Sequence, residues 1–404
     1  MTPNKLISLT FSSLFAFFAY SQSTVDQVLL NSLQDERLDG VKAQLEYYDT
    51  HSFKSPLFRE LDLRVRGNDL NDIPERYGLR LGLLNPKEMQ ANNNFDKANK
   101  IFLANRYNYL INQILAEKYK LLIYDYSLLL KEANLRNEAE RIKSFQLSKK
   151  AIVDLDDWIK IDHSLLDAEL KHAELQLEKE QSKADLAGID STTLGINWDR
   201  FSMIQVGQMR TVLDDAISSS KLNQLALASQ ALDLDRLKLS IDYAESRSNL
   251  GFLQAGYDTD GDWGLKNHLA YQVGISIPIF NKDRPKLQRD ELDLIENEYQ
   301  LRYLSTSNRD VDMQVFNRFN AVLITYNMLN NKYEELLVIA RTGVVDVDAF
   351  ISLGTYLSSV NERKDQAYIE LLGYYIDILE NRGILAAEPY LNYLSLLLSD
   401  LSDY

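Results

Sequence analysis

The residues able to do chemistry are many carboxylates and little else. The chain holds 59 Asp and Glu, four His and no Cys. Without cysteine there is no disulfide framework, thiolate metal site or thiol nucleophile. His51, His163, His172 and His268 lack a close His partner at helical metal-ligand spacing and read as surface residues. Asp258-Thr259-Asp260-Gly261-Asp262 copies the first five positions of a calcium loop. Trp263 stands where that loop needs glycine, and Leu269 where it needs a bidentate Glu, so a polar hairpin loop is the better account. No glycine-rich phosphate loop or nucleophile elbow occurs. Nothing selects a catalytic pair among the carboxylates. The expectation is a protein that is not an enzyme, with no cofactor and no metal. A net charge of −15 argues against a nucleic-acid surface, which needs clustered Lys and Arg.

The elements that carry these residues are legible in outline. With 404 residues, 45% of them hydrophobic and 25% charged, the chain is long enough for a large core. Only 16 Gly and 7 Pro point to long uninterrupted helices rather than an all-β sandwich. Residues 1–21 read as a cleaved signal peptide: Lys5, then the apolar run Leu6–Ala19, then small residues Ala19 and Ser21 before Gln22. No later window holds 18 consecutive apolar residues. An exported chain of this kind enters a membrane only through β-strands.

Two hairpins alternate cleanly. Over 58–85, Leu61, Leu63 and Val65 share one face, as do Tyr77, Leu79 and Leu81 across a polar loop. Over 250–280, Tyr271, Val273, Ile275 and Ile277 share a face, with Gln272, Gly274 and Ser276 on the other. Apolar faces of this length suit lipid and the small polar faces suit a watery lumen, though a soluble sheet lying on a helical core has the same alternation.

The halves resemble one another. Gly78–Asn85 aligns with Gly274–Asn281, and Ile152–Ile159 with Val344–Ile351. A period near 195 residues predicts an internal duplication of hairpin, long helix, turn, long helix, about 195 residues apart. The first repeat covers 22–190, with a short N-terminal helix, hairpin 58–85 and long helices within 95–187. The second covers 191–390, with helix 200–249, hairpin 250–280 and long helices within 284–382. A tail follows at 391–404. Val315, Phe319, Val322, Tyr326, Leu329, Tyr333 and Leu336 step by three and four, a heptad seam for coiled-coil packing.

The segment Val273-Gly274-Ile275-Ser276-Ile277-Pro278-Ile279-Phe280-Asn281 resembles the strand-to-helix signature of the TolC-type outer-membrane efflux channel family. Arg341-Thr342-Gly343-Val344-Val345-Asp346-Val347-Asp348-Ala349 resembles that family's helix–turn–helix tip. The resemblance implies a mainly α fold, with coiled-coil helices as a periplasmic tunnel and four membrane strands per chain. It implies a homotrimer closing a 12-stranded barrel in the outer membrane of a Gram-negative bacterium. It also implies a periplasmic adaptor (membrane fusion) protein and an inner-membrane pump of RND or ABC type, in efflux or type I export.

By the same resemblance, Asp346 and Asp348, with Asp154 and Asp157, are aperture candidates, and Arg341, Thr342, Gly343 and Val344 form the adaptor-contact turn. The lipid-facing candidates are Leu61, Leu63, Val65, Tyr77, Leu79, Leu81, Tyr271, Val273, Ile275 and Ile277. Two features depart from the family pattern. Asp346 and Asp348 are two apart rather than three, and only a short helix precedes the first strand. The alternative for the acids is helix N-capping. The alternative for the whole chain is a periplasmic coiled-coil scaffold or adaptor without a pore.

Overall fold

The computed structural model describes residues 24–51, 54, 56–66, 76–84, 86–149, 154–189, 196–198, 201–218, 225–246, 252–258, 269–274, 284–341 and 346–401. The expected signal peptide, Ile275, Ile277 and Thr342–Val344 lie outside them.

The elements run in order. Helix α1 is Val25–Ser32 and α2 is Asp39–Thr50, with a 3₁₀ turn Glu36–Leu38 between them. Strands β1 (Phe58–Arg66) and β2 (Arg76–Leu83) precede the 64-residue helix α3 (Pro86–Lys149) and the 35-residue α4 (Leu155–Ile189). Helices α5 (Val206–Ser218) and α6 (Leu225–Ser246) come next. Then β3 (Phe252–Asp258) and β4 (Leu269–Gly274) precede the 58-residue α7 (Arg284–Arg341) and the 35-residue α8 (Val347–Asn381). Hairpin, longer helix and 35-residue helix thus occur twice in the same order.

Two expected single elements are divided. The N-terminal segment is α1, a 3₁₀ turn and α2. The expected helix 200–249 starts only at Val206 and comprises α5 and α6; Phe201–Gln205 is not helical, with Ile204 N–H donating to the Leu394 carbonyl and Leu396 N–H to the Ser202 carbonyl, both at 2.8 Å. Those backbone groups are satisfied across the chain, not along a helix.

The chain divides into two compact units. One comprises Arg37–Tyr109 and Asn223–Arg309, and the other Met1–Glu36, Leu110–Leu222 and Asp310–Tyr404.

The first unit holds the sheet. Both hairpins join in one antiparallel sheet of order β1-β2-β3-β4, so β2 pairs with β3 from the other half of the chain. In the same unit, Arg236 lies over the rings of Phe95 and Phe102 at 5.9 and 5.5 Å. Lys238 pairs with Glu298 at 3.2 Å.

The second unit holds the larger core. Ile111, Ile114, Leu115, Tyr119, Leu122 and Leu128 of α3 are buried, as are Leu371, Leu372, Tyr375, Ile376 and Leu379 of α8. Their three-and-four spacing puts each set on one helix face. Helix α8 stops in a Schellman turn: Gly383, at φ 69°, takes the left-handed conformation that costs glycine least. Gly383 N–H reaches the Glu380 carbonyl and Ile384 N–H the Leu379 carbonyl.

The described residues after that turn, through Leu401, are folded into this unit. Tyr119 Oη donates to the Leu391 carbonyl at 2.9 Å and accepts from Tyr393 N–H at 3.1 Å. Burial pushes its phenol far above the usual range. Asp26 of α1 accepts from Asn392 Nδ2 at 2.8 Å and Ser399 Oγ at 3.0 Å. Val25, Val28 and Leu29 are buried in the same unit, as are Leu385, Leu394 and Leu401.

Candidate functional site

Register sorts the sheet into two chemically distinct faces. On one, three rows cross all four strands: Leu61–Leu81–Leu253–Val273, Leu63–Leu79–Ala255–Tyr271 and Val65–Tyr77–Tyr257–Leu269. Every residue in these rows is apolar or aromatic. Side chains alternate across a strand, so the rows make one continuous apolar face. That face is open: Leu63 is 73% exposed and Tyr271 79%, and Leu61, Val65, Tyr77, Leu79 and Val273 are exposed with them. Leu81 is half-buried.

The opposite face is polar or small apart from Phe252, in the rows Glu60–Gly82–Phe252–Gly274, Asp62–Arg80–Gln254–Gln272 and Arg64–Gly78–Gly256–Ala270. Strands β1 and β4 are the two edges of the sheet, and neither pairs with a further strand of this chain among the described residues. Among those residues no helix is long and apolar enough to cross a membrane.

The four acids singled out by sequence lie at the starts of α4 and α8, in the helical unit. Asp154 Oδ1 accepts from Asp157 N–H at 2.9 Å. Asp346 Oδ2 accepts from Ala349 N–H at 2.8 Å. Both are N-caps, satisfying amides that a helix start leaves without partners. The other two acids meet on a lysine that sequence reasoning did not single out. Lys160 Nζ reaches Asp348 Oδ1 at 2.8 Å and Asp157 Oδ1 at 3.2 Å. Those hydrogen bonds, to Asp348 first and Asp157 second, raise the Lys160 ammonium above its ordinary value. Lys160 therefore ties the first turn of α4 to the first turn of α8, while Asp348 stays 70% exposed.

The two helix starts rest on a shared apolar cluster of Ile142, Phe145, Ile161, Ala168 and Val347. Within it the Phe145 and Phe350 rings stack at 3.6 Å, 7° from parallel. Of the expected adaptor-contact turn, only Arg341 is described, as the last residue of α7.

Sequence reasoning also missed the polar layers between the helices. Asp365 of α8 accepts from Asn134 Nδ2 of α3 at 2.7 Å, and Asn361 Nδ2 donates to Asn134 Oδ1. Burial pushes the Asp365 carboxyl up, against the Asn134 hydrogen bond and the Lys364 charge. Glu132 of α3 binds Lys179 and Gln176 of α4, and the Lys179 bond holds its carboxyl below the usual range. Arg382 Nη2 donates to Asp312 Oδ2 at 2.6 Å in a pair only 11% and 10% exposed, and its Nη1 reaches the Ala216 carbonyl at 3.2 Å. No spacing in the sequence marks these partners, because each pairing joins different helices. Among the described residues, no group of three or more His, Asp and Glu is placed to hold a metal ion.

No protein-family model matches the sequence, and neither does any curated protein. Solved structures do match. The outer-membrane channel OprN is 15% identical, with a TM-score of 0.54 over 89% of each chain. The outer-membrane protein VceC of Vibrio cholerae is 11% identical, with a TM-score of 0.55 over 89% of this chain and 96% of that one. The open state of the MtrE outer-membrane channel of Neisseria gonorrhoeae is 12% identical, with a TM-score of 0.52 over 89% of this chain and 88% of that one. At such identities the likeness is one of fold. Long paired helices together with a four-stranded antiparallel sheet give this chain the fold of the TolC-type outer-membrane channels.

Proposed function

We propose that the chain is one subunit of a homotrimeric outer-membrane channel in efflux or type I export, passing solutes outward without chemistry. The observation that carries this reading is the sheet: one face wholly apolar and open, and two edges unpaired among the described residues. In water such a face is a liability, and in lipid such edges are untenable. An unpaired backbone group in hydrocarbon costs several kcal/mol, so an open four-stranded sheet in a bilayer requires neighbours at β1 and β4. Copies of the same chain supply them by symmetry. Three copies of four strands close a barrel of about twelve, wide enough for an aqueous passage, whereas eight strands fill with side chains.

In this arrangement Leu61, Leu63, Val65, Tyr77, Leu79, Leu81, Tyr271 and Val273 face lipid. The starts of α4 and α8, with Asp154, Asp157, Asp346 and Asp348, form the periplasmic end. The turn after Arg341 meets a periplasmic adaptor protein, which links the channel to an inner-membrane pump of RND or ABC type. Fold likeness to OprN, VceC and MtrE supports the channel role. The test is the native mass of the protein after detergent extraction from outer membranes, by light scattering corrected for bound detergent. A trimer is expected. A soluble monomer or dimer in the periplasm would overturn the channel reading in favour of a coiled-coil scaffold.

A further inference from the structure

Resting on the channel reading, we infer that the polar face of the sheet is a selectivity belt for anionic solutes, built on Arg80 and Arg64. Arg80 is held in place by stacking. Its guanidinium lies 3.8 Å from the centroid of the Phe252 ring. That ring lies on Gly274, where an added Cβ would meet it at 2.3 Å, so only glycine admits the ring there. Gly274 carries the ring and the ring carries the guanidinium. Arg80 Nε is buried without a hydrogen-bond partner among the described residues. Asp62 is the cross-strand neighbour of Arg80, yet its carboxylate lies 3.8 Å from Arg64 instead. Among the described residues Arg80 makes no ion pair. A stacked guanidinium keeps its charge and its planar fork, which suit carboxylate, phosphate and sulfate groups.

The order of charge along the strands adds direction. The row nearest the helix-connected ends of the strands contains Glu60, the next Asp62 with Arg80, and the next Arg64 beside two glycines and an alanine. Acid thus gives way to base from the helical end of the sheet to the loop end. A barrel repeats each row in every copy, and rings of arginine favour anions where rings of carboxylate favour cations.

The experiment is reversal potential in planar bilayers, with the full-length protein under a KCl gradient and chloride as the probe anion. Acids elsewhere along the passage also weigh on the absolute selectivity, so the reading is the shift between variants. R64Q/R80Q should lower the chloride-to-potassium permeability ratio by about twofold or more, since it leaves Glu60 and Asp62 without opposing charge on that face. R64K/R80K should keep the wild-type ratio, and E60Q should raise it. The single variants R64Q and R80Q should each give part of the shift, which covers a double variant that fails to assemble. Conducting R64Q/R80Q channels, or conducting single variants, with an unchanged ratio would overturn the belt. Wild-type protein that gives no conductance would overturn the channel reading itself, a different failure.

Discussion

Leu63→Arg is the substitution that separates a lipid-facing sheet from a soluble one. Leu63 stands in the middle of the three apolar rows, beside Leu79, with Ala255 and Tyr271 further along. With one row on each side, it is the β1 position nearest the centre of the apolar band. It is 73% exposed, so most of its surface meets whatever covers the sheet. An arginine at the bilayer midplane costs about 2–4 kcal/mol on a barrel. The lost leucine adds about 1.5–3 kcal/mol of burial. Each copy is then worse by about 4–7 kcal/mol, and three copies around one barrel by about 10–20 kcal/mol. That is enough to abolish insertion. Gln272→Arg, on the polar face of β4, carries no such penalty and is the control. The assay is refolding from urea into lipid vesicles, read by the mobility difference between heated and unheated samples and by protease protection. L63R should fail to insert while Q272R inserts. Equal yields for L63R and wild type would refute the assignment of this face to lipid, because on a soluble surface the same arginine is harmless.

Four further outcomes concern the helical unit. Arg382→Met strands the Asp312 carboxylate in a buried site, so the helical transition followed by circular dichroism should weaken by about 3–5 kcal/mol, and R382M/D312L should recover most of the loss. That recovery is expected because Asp312 Oδ1 and Arg382 Nε already lack hydrogen-bond partners among the described residues. The Asp365 carboxyl is raised above its ordinary 3.8, chiefly by burial, so its ionised form opposes folding. The folded state therefore binds that proton more tightly than the unfolded state. Stability from this group is highest below the unfolded value and is lost as pH rises through the folded one. Asp365→Asn should raise the melting temperature at neutral pH and flatten its rise on acidification; a steeper rise would contradict the sign. Asp346→Ala removes a helix cap and should cost about 1 kcal/mol in thermal stability. Asp348→Ala leaves the cap intact and is the cleaner probe of conductance, where a change without loss of stability is expected.

Local order was legible and pairing was not. Period-two alternation marked β1 and β2 because each strand keeps one apolar face. That β2 pairs with β3 has no local signal: Leu79 meets Ala255 far along the chain, and only the assembled register tells which residues share a row. Helix α3 was legible from the run 95–149, which holds no glycine and no proline. The non-helical stretch before α5 was not, because its backbone hydrogen bonds go to Leu394 and Leu396 and override a helical pattern. The acids at the helix starts were found by type and place, but their partners were not. Asp154 and Asp346 spend their carboxylates on their own helices, as the capping alternative holds. Lys160 was passed over as one basic residue among many; its spacing of three from Asp157 was visible, and its contact with Asp348 across the fold was not.

The contact between Asp26 and residues 392 and 399 couples two stretches far apart in the chain. Helix α1 buries Val25, Val28 and Leu29, and its one buried carboxylate finds its partners only in the last stretch of the described chain. Asp26 is only 8% exposed, so without Asn392 and Ser399 its carboxylate would sit in this core with no hydrogen bond from either. The seating of α1 and the fold of residues 385–401 are therefore coupled energetically: loosening one strands buried polar groups of the other.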